Sequence, residues 1–531
     1  MNKMAVYLNQ HIDGVVYSSP DILENYSTDR SILKYMPKFV AIPADVMDVR
    51  RLVKFSSQLA SKGLQMPITV RGAGYSKTGA CLGNGLIIST EKLNKIQEVD
   101  VRQRLIRVQA GVKLGELQKA LALHALELPI VGAPEETIGG LISRGAQASN
   151  NTTPSTIVDF VERAEVVLAD GSLVEIGKMS SSKSQKKAKQ DDFEGRIYAK
   201  MNEILVKNSA LIAKQNEKIL DHSFFAHVAK LKEKRCTNLI PLFCGAEGTL
   251  GVITEVILKC EPIFENPNWI AVACNNAATY QKAAGVLKKN GFTDLYVYDT
   301  EIFADSESTG KTSKFFRKPG RDGYLIIANA KDDSRMKRKM KLSKLKSNLP
   351  QVARLIEITD ENRHDFEVLD ETLLAYLNSP LRGFRVPVVE DVYIPEEKQA
   401  EFMAVVDSLG DELKMRLAVF GRPEYNTFNV RPTYIPTSAD GLKRMVTFIQ
   451  KYLQIVKDFG GYCCGGSSEG RMMGAFVRAT ADKSVVELAK VIKDAFDPEG
   501  ILNPGTKHEA SPSAVFKHLR KEYSNTVQSI Y

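Results

Sequence analysis

The chain of 531 residues lacks the features that mark membrane-spanning and secreted proteins. Its longest apolar runs, such as Gly85–Ile88 and Leu325–Ala328, are of strand length and fall far short of the roughly 18 residues of a membrane-spanning helix. Residues 1–10 lack the basic start, apolar stretch and small-residue cleavage site of a secretory signal. The apolar content of 44% and charged content of 25% are ordinary for folded domains. We therefore expect a cytoplasmic protein with no span across a bilayer.

Cysteine and histidine are both scarce, with seven residues of each. The cysteines form no CxxC pair, and their odd number does not suit a disulfide framework. The adjacent Cys463 and Cys464 are interpreted as packing residues, because a disulfide between neighbours is strained. The sequence thus predicts neither an iron–sulfur cluster nor a structural zinc in this chain. The histidines stand at positions 11, 124, 222, 227, 364, 508 and 518.

Positive charge is in excess, with a net charge of +9 that is concentrated in residues 311–318 and 331–346. Within the second stretch Leu342, Leu345 and Leu349 fall at helical spacing, which predicts one packed stripe and lysines that point to water. A solvated helix face is the favoured interpretation, and peripheral contact with an anionic membrane is the alternative. Nucleic-acid binding is not predicted, because few stacking aromatic residues interleave the positive charges.

A glycine-rich turn follows the apolar segment Met66–Val70 and reads Arg71-Gly-Ala-Gly-Tyr-Ser-Lys-Thr-Gly79. Its glycines allow successive backbone N–H groups to turn toward one point and form a nest for a pyrophosphate, to which Arg71 adds charge. Such a turn is weak support by itself, because similar strings occur in ordinary turns. Three later segments extend the pattern: Glu136–Gly140, Gly245–Glu255 and Asp497–Gly505.

In order and spacing these segments resemble the FAD-linked oxidases of the vanillyl-alcohol oxidase and p-cresol methylhydroxylase (PCMH) type. The nearest branch is that of the glycolate oxidase and D-lactate dehydrogenase flavoprotein subunits. The resemblance covers residues 21–262 and 461–508, including the opening Asp21–Asp29 and Met36–Pro43. It implies an α+β fold in which a PCMH-type FAD-binding domain of two subdomains carries an inserted α/β cap, or substrate, domain before a C-terminal return segment.

The expected organisation follows from this resemblance and from local patterns. A helix is predicted over Asp45–Lys62, capped by Asp45 and ended by Gly63. Residues 178–192 are polar and of low complexity, so we expect a mobile loop there. The predicted parts are an opening segment 1–35, an FAD-binding domain 36–263, a cap domain 264–460, a return segment 461–508 and a tail 509–531.

The resemblance implies a set of FAD-binding residues, while the flavin itself carries the redox chemistry. Glu247 has an alternative role, which is to brace its loop by hydrogen bonds to the backbone. The implied diphosphate site contains Arg71, Gly72, Ala73, Gly74, Tyr75, Ser76 and Gly79; the ribityl and ring side contains Pro134, Thr137, Gly139 and Gly140; the adenosine half contains Glu247, Gly248 and Ile253; and Asn503 joins them from the return segment.

Position 75 bears on how the flavin is held. Several relatives carry a histidine there that bonds covalently to the flavin, and a tyrosine does not replace that bond. We therefore predict noncovalent FAD. Cys81 lies nearby in the sequence, but no attachment cysteine is evident.

The hydroxyacid branch of the family takes its metal ligands and base from a Gly-His-x-Gly-Asp-Gly-Asn-x-His string and a Gly-Glu-His-Gly string. The matching segments Phe420–Asn429 and Gly466–Gly474 contain no histidine, so no imidazole-held metal is predicted. A forked guanidinium suits a carboxylate or phosphate, and a partly buried carboxylate suits proton abstraction. Each candidate has a salt bridge as its alternative role. The candidates are Arg422 and Arg471 for binding an anion, and Glu469, Glu424, Tyr425 or Glu390 for taking the proton.

The expected activity is that of an FAD-dependent dehydrogenase or oxidase acting on the CH–OH group of a small anionic substrate. A 2-hydroxyacid is the nearest class, with hydride transfer to flavin N5. A sugar or alditol oxidase of the same superfamily is one alternative. A catalytically degenerate flavin-binding subunit of an electron-transfer complex is the other. The electron acceptor, whether oxygen, a quinone or a partner protein, stays open.

Overall fold

A computed structural model describes residues 2–149, 155–216, 225, 228, 230–233, 236–263, 269–299, 323–329, 334–358, 389–415, 417–432, 439–463 and 468–520. The chain divides into two compact units. Unit 1 is formed by Met1–Ala148, Ser155–Ile263 and Gly465–Leu519, and unit 2 mainly by Phe264–Cys464. Unit 1 is therefore discontinuous in sequence. Several residues discussed above lie outside the described ranges: Cys464, Gly466, histidines 222, 227 and 364, and residues 311–318.

The helices and strands take the following bounds. The helices are α1 (Lys3–Asn9), α2 (Pro20–Asn25), α3 (Val46–Ala60), α4 (Leu114–Ala122), α5 (Ile138–Ser143), α6 (Ser181–Lys187), α7 (Phe193–Lys207), α8 (Ser209–Asn216), α9 (Ile240–Phe243), α10 (Ala277–Lys289), α11 (Arg335–Asn348), α12 (Gln399–Leu413), α13 (Ala439–Asp458), α14 (Gly470–Thr480), α15 (Lys483–Phe496) and α16 (Pro512–Lys517). The strands are β1 (Val15–Tyr17), β2 (Phe39–Ile42), β3 (Ile68–Arg71), β4 (Leu86–Ser89), β5 (Ile96–Asp100), β6 (Leu105–Gln109), β7 (Leu126–Glu127), β8 (Val161–Val167), β9 (Leu173–Gly177), β10 (Met179–Ser180), β11 (Lys232–Glu233), β12 (Cys236–Thr237), β13 (Val252–Lys259), β14 (Glu261–Pro262), β15 (Trp269–Cys274), β16 (Thr293–Asp299), β17 (Tyr324–Asn329), β18 (Arg354–Glu357), β19 (Val392–Tyr393), β20 (Leu417–Arg422), β21 (Thr427–Pro432) and β22 (Tyr462–Cys463).

Unit 1 contains two main sheets. A four-stranded sheet has the order β1-β2-β4-β3, with β2 and β3 both parallel to β4. A five-stranded antiparallel sheet has the order β5-β6-β13-β8-β9. Parallel strands expose their carboxyl ends at one edge, so the glycine-rich turn after β3 emerges at the edge where β4 ends.

Helix α3 confirms the helix that the sequence predicts beside the first sheet. The Asp45 side chain accepts hydrogen bonds from the amides of Met47 and Asp48, which would otherwise lack partners at the helix start. Gly63 adopts a φ of 75°, the left-handed conformation that ends a helix without a Cβ clash. The apolar face of α3 is buried in the core of the four-stranded sheet, with Leu52 and Val53 fully buried.

The prediction of a mobile loop over residues 178–192 is wrong, because β10 and α6 occupy much of this segment. The side chain of Ser180 caps α6 by accepting from the amide of Lys183 at 3.3 Å. Ser184 is buried, and Lys187 at the end of α6 pairs with Glu194 of α7. Capping and this ion pair order a polar segment that a compositional argument assigns to solvent.

Unit 2 is built on an eight-stranded sheet in the order β18-β15-β17-β16-β20-β21-β19-β22. Helices α10 and α12 pack on one face of it, and α13 packs against α12. The ring of Phe402 on α12 lies 6.2 Å from that of Phe428 on β21 and 6.2 Å from that of Tyr452 on α13, measured between centroids. This face supplies the apolar interior between sheet and helices.

The opposite face of the same sheet carries polar and aromatic side chains. Phe420 pairs with Asn429 across β20 and β21, and Arg422 pairs with Thr427. These residues alternate with Phe428 and therefore point away from the helices. The strand register thus gathers guanidinium, amide and aromatic groups on one surface of unit 2. Within the described ranges, no helix combines the length and apolar character needed to cross a membrane.

Candidate active site

The glycine-rich turn after β3 presents a row of backbone donors. Within the described part of the chain, the amides of residues 72–75 donate to no protein acceptor, whereas the Ser76 amide lies against the Cys81 thiol. Gly74 and Gly79 both adopt a φ of 76°, which a residue with a Cβ rarely adopts. A Cβ at Gly72 would collide with Thr137 Oγ1, so glycine permits the close approach of two loops. Such a row of amides fits the oxygens of a diphosphate.

The start of α5, next to this turn, packs closely against its neighbours but offers no unpaired backbone donors at Gly139 and Gly140. Its Gly139 amide donates to the Ala110 carbonyl at 2.8 Å, and its Gly140 amide donates to Thr137 Oγ1 at 3.2 Å. A Cβ at Gly139 would lie 2.9 Å from Ala110 Cβ, which explains the glycine by packing. Pro134 accepts from the Gly115 amide at 2.8 Å. These predicted ring-side residues therefore lie beside the turn with their backbone groups already paired.

Tyr75 is held by two residues that the motif did not indicate. Its hydroxyl donates to Glu135 Oε2 at 3.0 Å, and the Arg30 guanidinium carbon lies 3.6 Å from its ring centroid. The Arg30 amide also donates to the Ser76 carbonyl at 2.9 Å. Burial raises the pKa of Tyr75, so the hydroxyl is a donor at neutral pH. The opening segment and the loop before α5 thus meet on this side chain.

Cys81 lies beside the same turn with its thiol 3.6 Å from Asp29 Oδ2. Burial, followed by the nearby Asp29 carboxylate, raises the pKa of Cys81 to about 12. The thiolate is the nucleophilic form of cysteine, so a thiol with this pKa is poorly suited to bond a flavin at neutral pH.

Glu247 and Thr78 together satisfy the start of α14. The Glu247 carboxylate accepts from the amides of residues 469 and 470 at 2.6 and 2.7 Å. The Thr78 carbonyl accepts from the amides of residues 471 and 472 at 3.0 and 3.1 Å. The first amides of a helix need external acceptors, and a negative charge there is favourable. Glu247 therefore braces the return segment, the alternative role that the sequence left open, and the glycine-rich turn shares that task.

Glu469 is buried in unit 1 against a lysine. Its Oε1 accepts from Lys507 Nζ at 2.6 Å, and both side chains are 1% exposed. The same ammonium donates to the Gly245 carbonyl at 2.9 Å. Lys507 was missed from the sequence, although it lies two residues after the Asn503-Pro-Gly505 motif. An enclosed carboxylate with a paired ammonium has the environment of a structural ion pair rather than of a base that meets a substrate.

Arg471 donates to the protein on three sides. Its Nε bonds the Leu82 carbonyl at 2.8 Å, Nη1 the Pro504 carbonyl at 2.5 Å, and Nη2 the Asn503 carboxamide at 2.9 Å. These bonds use the forked donors on which the predicted anion-binding role depends. The structure thus places Arg471 between the glycine-rich region and the return segment.

Asn503, Gly248 and Ile253 also have structural partners. Both amide hydrogens of Asn503 are used, on the carbonyls of Ala80 at 2.8 Å and Glu247 at 2.7 Å. Gly248 has a φ of 72° and lies next to β3, while Ile253 is buried in β13. Gly248 and Ile253, predicted for the adenosine half, thus lie beside β3 and within the five-stranded sheet respectively, and Asn503 links two loops of unit 1.

In unit 2 a second cluster surrounds Arg422. This arginine pairs with Glu424, and its Nη2 lies 3.9 Å from Asp294 Oδ1. Its guanidinium carbon lies 4.6 Å from the centroid of the Tyr425 ring and 5.0 Å from that of Tyr296. Burial raises the pKa of Glu424, which also accepts from the Leu295 amide at 2.9 Å. Basic, acidic and aromatic side chains thus lie close together at the end of β20.

Glu390 belongs to a neighbouring pair. It binds Arg431, whose side chain is 1% exposed and whose guanidinium carbon lies 5.0 Å from the Phe420 ring centroid. Arg431 was missed because nothing in the sequence separates it from surface arginines. In the described residues, no group of three or more His, Cys, Asp or Glu side chains is arranged to hold a metal ion.

The predicted residues therefore separate by unit. Unit 1 brings Glu469 and Arg471 to the return segment beside the glycine-rich turn, and unit 2 brings Arg422 and Tyr425 together with Glu424.

Comparison with known families decides the identity of this arrangement. Residues 37–177 match the family described as FAD binding domain, and residues 323–506 match the family described as FAD linked oxidases, C-terminal domain. The two matches together cover more than half of the chain and include both the glycine-rich turn and the return segment. The chain belongs to the FAD-linked oxidases. The predicted family and its FAD cofactor are thereby confirmed.

Curated relatives of this FAD-linked oxidase share low identity over long alignments. The D-2-hydroxyglutarate dehydrogenase of Pantoea ananatis is 23% identical over 500 residues, which are 90% of this chain and 48% of that protein. The chain thus spans about half the length of the D-2-hydroxyglutarate dehydrogenases that it matches. Glycolate oxidase subunit GlcD of Bacillus subtilis is 21% identical over 92% of this chain and 94% of its own. The D-lactate dehydrogenase of Archaeoglobus fulgidus is 22% identical over 88% and 90%.

Solved structures share the fold at still lower identity. The 4-ethylphenol oxidase from Gulosibacter chungangensis superposes with a TM-score of 0.67 at 13% identity, covering 96% of this chain and 97% of that one. An alkyldihydroxyacetonephosphate synthase superposes with a TM-score of 0.65 at 14% identity, covering 95% and 86%. At such identities the similarity establishes the fold alone, which is the PCMH-type combination of helices and sheets.

Proposed function

We propose that this FAD-linked oxidase oxidises the hydroxyl-bearing carbon of a small anionic substrate of the 2-hydroxyacid class to the 2-oxoacid. The observation that carries the proposal is the buried cluster in which Arg422, flanked by Tyr296 and Tyr425, meets Glu424. The relatives named for glycolate and D-lactate support the substrate class, because each aligns with this chain over nearly its full length.

FAD is held without a covalent bond in this proposal. The unpaired amides of residues 72–75 take the diphosphate, and Arg71 beside them supplies positive charge. Position 75 is a tyrosine engaged with Arg30 and Glu135, and the Cys81 thiol stays protonated. FAD, once bound, supplies the two-electron acceptor for the reaction.

Arg422 binds the substrate carboxylate in this scheme. A planar guanidinium matches a carboxylate in two parallel hydrogen bonds, and the Tyr296 and Tyr425 rings restrict it to one orientation. Burial by itself would lower the pKa of Arg422, but the neighbouring tyrosines and acids raise it above its ordinary value. The side chain is therefore positively charged at neutral pH.

Glu424 takes the hydroxyl proton as the C–H hydride leaves. Its buried carboxyl has a raised pKa, which brings a carboxylate closer to the range of an effective general base. We assign Glu469, Arg471 and Glu390, which were candidates from sequence, to positioning. Their protein partners are Lys507, a set of carbonyls with Asn503, and Arg431 respectively. Glu424 is also paired, with Arg422, but its side chain is 14% exposed, compared with 1% for Glu469 and 7% for Glu390.

The test is anaerobic reduction of the FAD-loaded protein by single substrates. Loss of flavin absorbance with D-lactate, glycolate or D-2-hydroxyglutarate, but not with an alditol or a sugar, is expected. Reduction by an alditol alone would favour a sugar or alditol oxidase. An oxidised spectrum with every substrate, while FAD stays bound, would favour a degenerate electron-transfer subunit.

We further propose that the electrons pass to oxygen, a quinone or a partner protein, and, separately, that the protein makes peripheral contact with a membrane. The choice among oxygen, a quinone and a partner protein is tested by mixing the substrate-reduced protein with each. The acceptor that restores flavin absorbance at the turnover rate is the functional one.

A further inference from the structure

Helix α11 in unit 2 carries seven positive side chains and no acidic one. Its orientation is set by contacts on one side. Leu345 is fully buried, Lys341 Nζ donates to the Gly291 carbonyl at 2.6 Å, and Lys346 pairs with Glu357 at 2.6 Å. The remaining side of the helix therefore faces outward.

The outward side has an apolar line between two basic rows. Met336 and Met340 are 74% and 66% exposed, and their spacing of four residues stacks them along the helix axis. Residues seven apart return to the same side after two turns. On this basis Lys337 and Lys344 flank the methionines on one side, and Lys339 flanks them on the other, where Lys346 is paired with Glu357.

We propose that this face of α11 docks on an anionic phospholipid surface. The inference rests on the peripheral membrane contact proposed above and is independent of the substrate. The sequence favoured a purely solvated face, because the leucine spacing accounted for one packed stripe. The structure shows that the packed stripe leaves two large apolar side chains exposed on the opposite side, between the lysines.

Charge and shape favour a lipid leaflet over other anionic partners. Rows of lysine on both sides of a straight apolar line lie parallel to one plane, which suits a flat and diffuse anionic surface. Methionine is flexible enough to enter the headgroup region between lysines. The helix contains no aromatic side chain on which the bases of single-stranded nucleic acid would stack.

The experiment measures sedimentation of the full FAD-loaded chain with phosphatidylcholine vesicles, with and without phosphatidylglycerol. Binding is expected only with phosphatidylglycerol, and it should weaken as salt is raised. Each lysine near an anionic surface contributes roughly a fivefold factor, or about 1 kcal/mol. The triple change Lys337→Glu, Lys339→Glu and Lys344→Glu should therefore lower the binding constant by at least about a hundredfold.

A matched control reverses three exposed lysines of unit 1 helices, Lys207, Lys483 and Lys490, to glutamate. It has the same net charge as the α11 variant and should keep most of the binding. Changing Met336 and Met340 to serine should weaken binding several-fold and leave the salt dependence in place. Reduction of the flavin by substrate should be unchanged in all three variants, which separates this inference from the proposed function.

Three results would overturn the inference. The first is an absence of vesicle binding by the unaltered protein, or equal binding to neutral and anionic vesicles. The second is an equal loss in the α11 and control variants. The third is α11-dependent binding to an acidic polypeptide such as polyglutamate without binding to vesicles, which would assign the face to an acidic protein partner.

Discussion

At the scale of single residues, the environment of a charge decides whether it serves structure or chemistry. Arg471 donates to carbonyls and a side-chain amide of unit 1, whereas Arg422 pairs with Glu424 and lies within 5.0 Å of the centroids of two aromatic rings. Both arginines are nearly buried, and both suited anion binding from sequence alone. Their partners give them different roles in the proposal.

Replacing Arg422 by methionine should weaken substrate binding, while the protein retains its FAD. Losing a buried, hydrogen-bonded charge costs about 2–5 kcal/mol, which corresponds to roughly 30-fold to several thousandfold in kcat/KM. Steady-state kinetics with the best 2-hydroxyacid, together with the FAD content of the purified protein, would measure both effects. The matched control is Arg354→Met, an exposed arginine at the start of β18, which should behave as the unaltered protein. Equal kinetics in the two variants would argue against Arg422 as the carboxylate site.

Changing Glu424 or Glu469 to glutamine should have different effects on the rate of flavin reduction. Loss of a general base lowers rates by about 10²–10⁴-fold, so Glu424→Gln should slow anaerobic flavin reduction by at least about a hundredfold. Glu469→Gln should leave the reduction rate per bound FAD nearly unchanged but lower the unfolding temperature, because it leaves Lys507 buried without its counter-charge. Stopped-flow reduction and thermal unfolding separate the two effects. Slow reduction in Glu469→Gln alone would restore Glu469 as the base.

Tyr75 should affect how long FAD stays bound. Changing it to phenylalanine keeps the Arg30 stack but removes the hydrogen bond to Glu135, which is worth about 1 kcal/mol. We expect FAD to dissociate roughly fivefold faster, as measured by fluorescence of the released flavin. Tyr7→Phe on α1, which is 46% exposed, serves as the control. An unchanged dissociation rate would show that the contact does not retain the cofactor.

At the scale of elements, the start of α14 couples two distant parts of unit 1. The first amides of the helix are satisfied by a carboxylate from the loop before β13 and by a carbonyl from the glycine-rich turn. Buried amides without acceptors are costly, so the helix depends on both loops holding their positions. The return segment thereby supports the turn whose unpaired amides are proposed to hold the diphosphate of FAD.

Replacing Glu247 by alanine should therefore destabilise the fold and weaken FAD binding together. Two buried amides and the Ser468 hydroxyl would lose their acceptor, at a cost of about 2–4 kcal/mol. Thermal unfolding with and without excess FAD should show a lower transition temperature that FAD restores in part. Glu203→Ala, an exposed carboxylate on α7, should leave both quantities unchanged. A variant with normal stability would show that the helix start has other acceptors.

At the scale of the whole molecule, unit 1 is assembled from both ends of the chain. Buried Lys493 donates to Asp497 and the Leu502 carbonyl within the return segment and to the Thr249 carbonyl, so two distant segments of this unit meet at one ammonium. The neighbouring return segment also buries His508, which is 9% exposed. Such buried groups make the stability of the unit depend on pH.

Because His508 is buried, we expect the protein to lose stability in acid. Burial, followed by the charges of Lys493 and Lys507, lowers the pKa of His508 to about 4 from its ordinary 6.5. The unfolded chain then binds more protons than the folded one, so the free energy of unfolding falls as pH drops from about 6.5 to about 4, by up to about 3 kcal/mol. Denaturant unfolding across this window measures the effect. His508→Gln should flatten the slope there, and an unaltered slope would assign the acid sensitivity to other groups.

The sequence by itself determined the family, the cofactor and the position of the glycine-rich turn. These depend on local properties: Gly74 and Gly79 need positive φ, and Asp45 caps a helix from the adjacent position. A motif of a few residues is therefore enough to predict such local features. The family assignment also depends on two longer segments, 37–177 and 323–506, which match the two domains of the family in this order along the chain.

Only the tertiary structure decided the partners of the buried charges. Glu247 accepts from an amide 222 residues away, and Arg471 donates to a carbonyl 389 residues away. The partner of a buried charge is selected by packing between distant segments, because desolvation forces each charge to find an acceptor or donor nearby in space. A single sequence contains no signal of that proximity. Both Glu469 and Arg422 were therefore candidates for the site from sequence, and only their partners in the fold distinguish them.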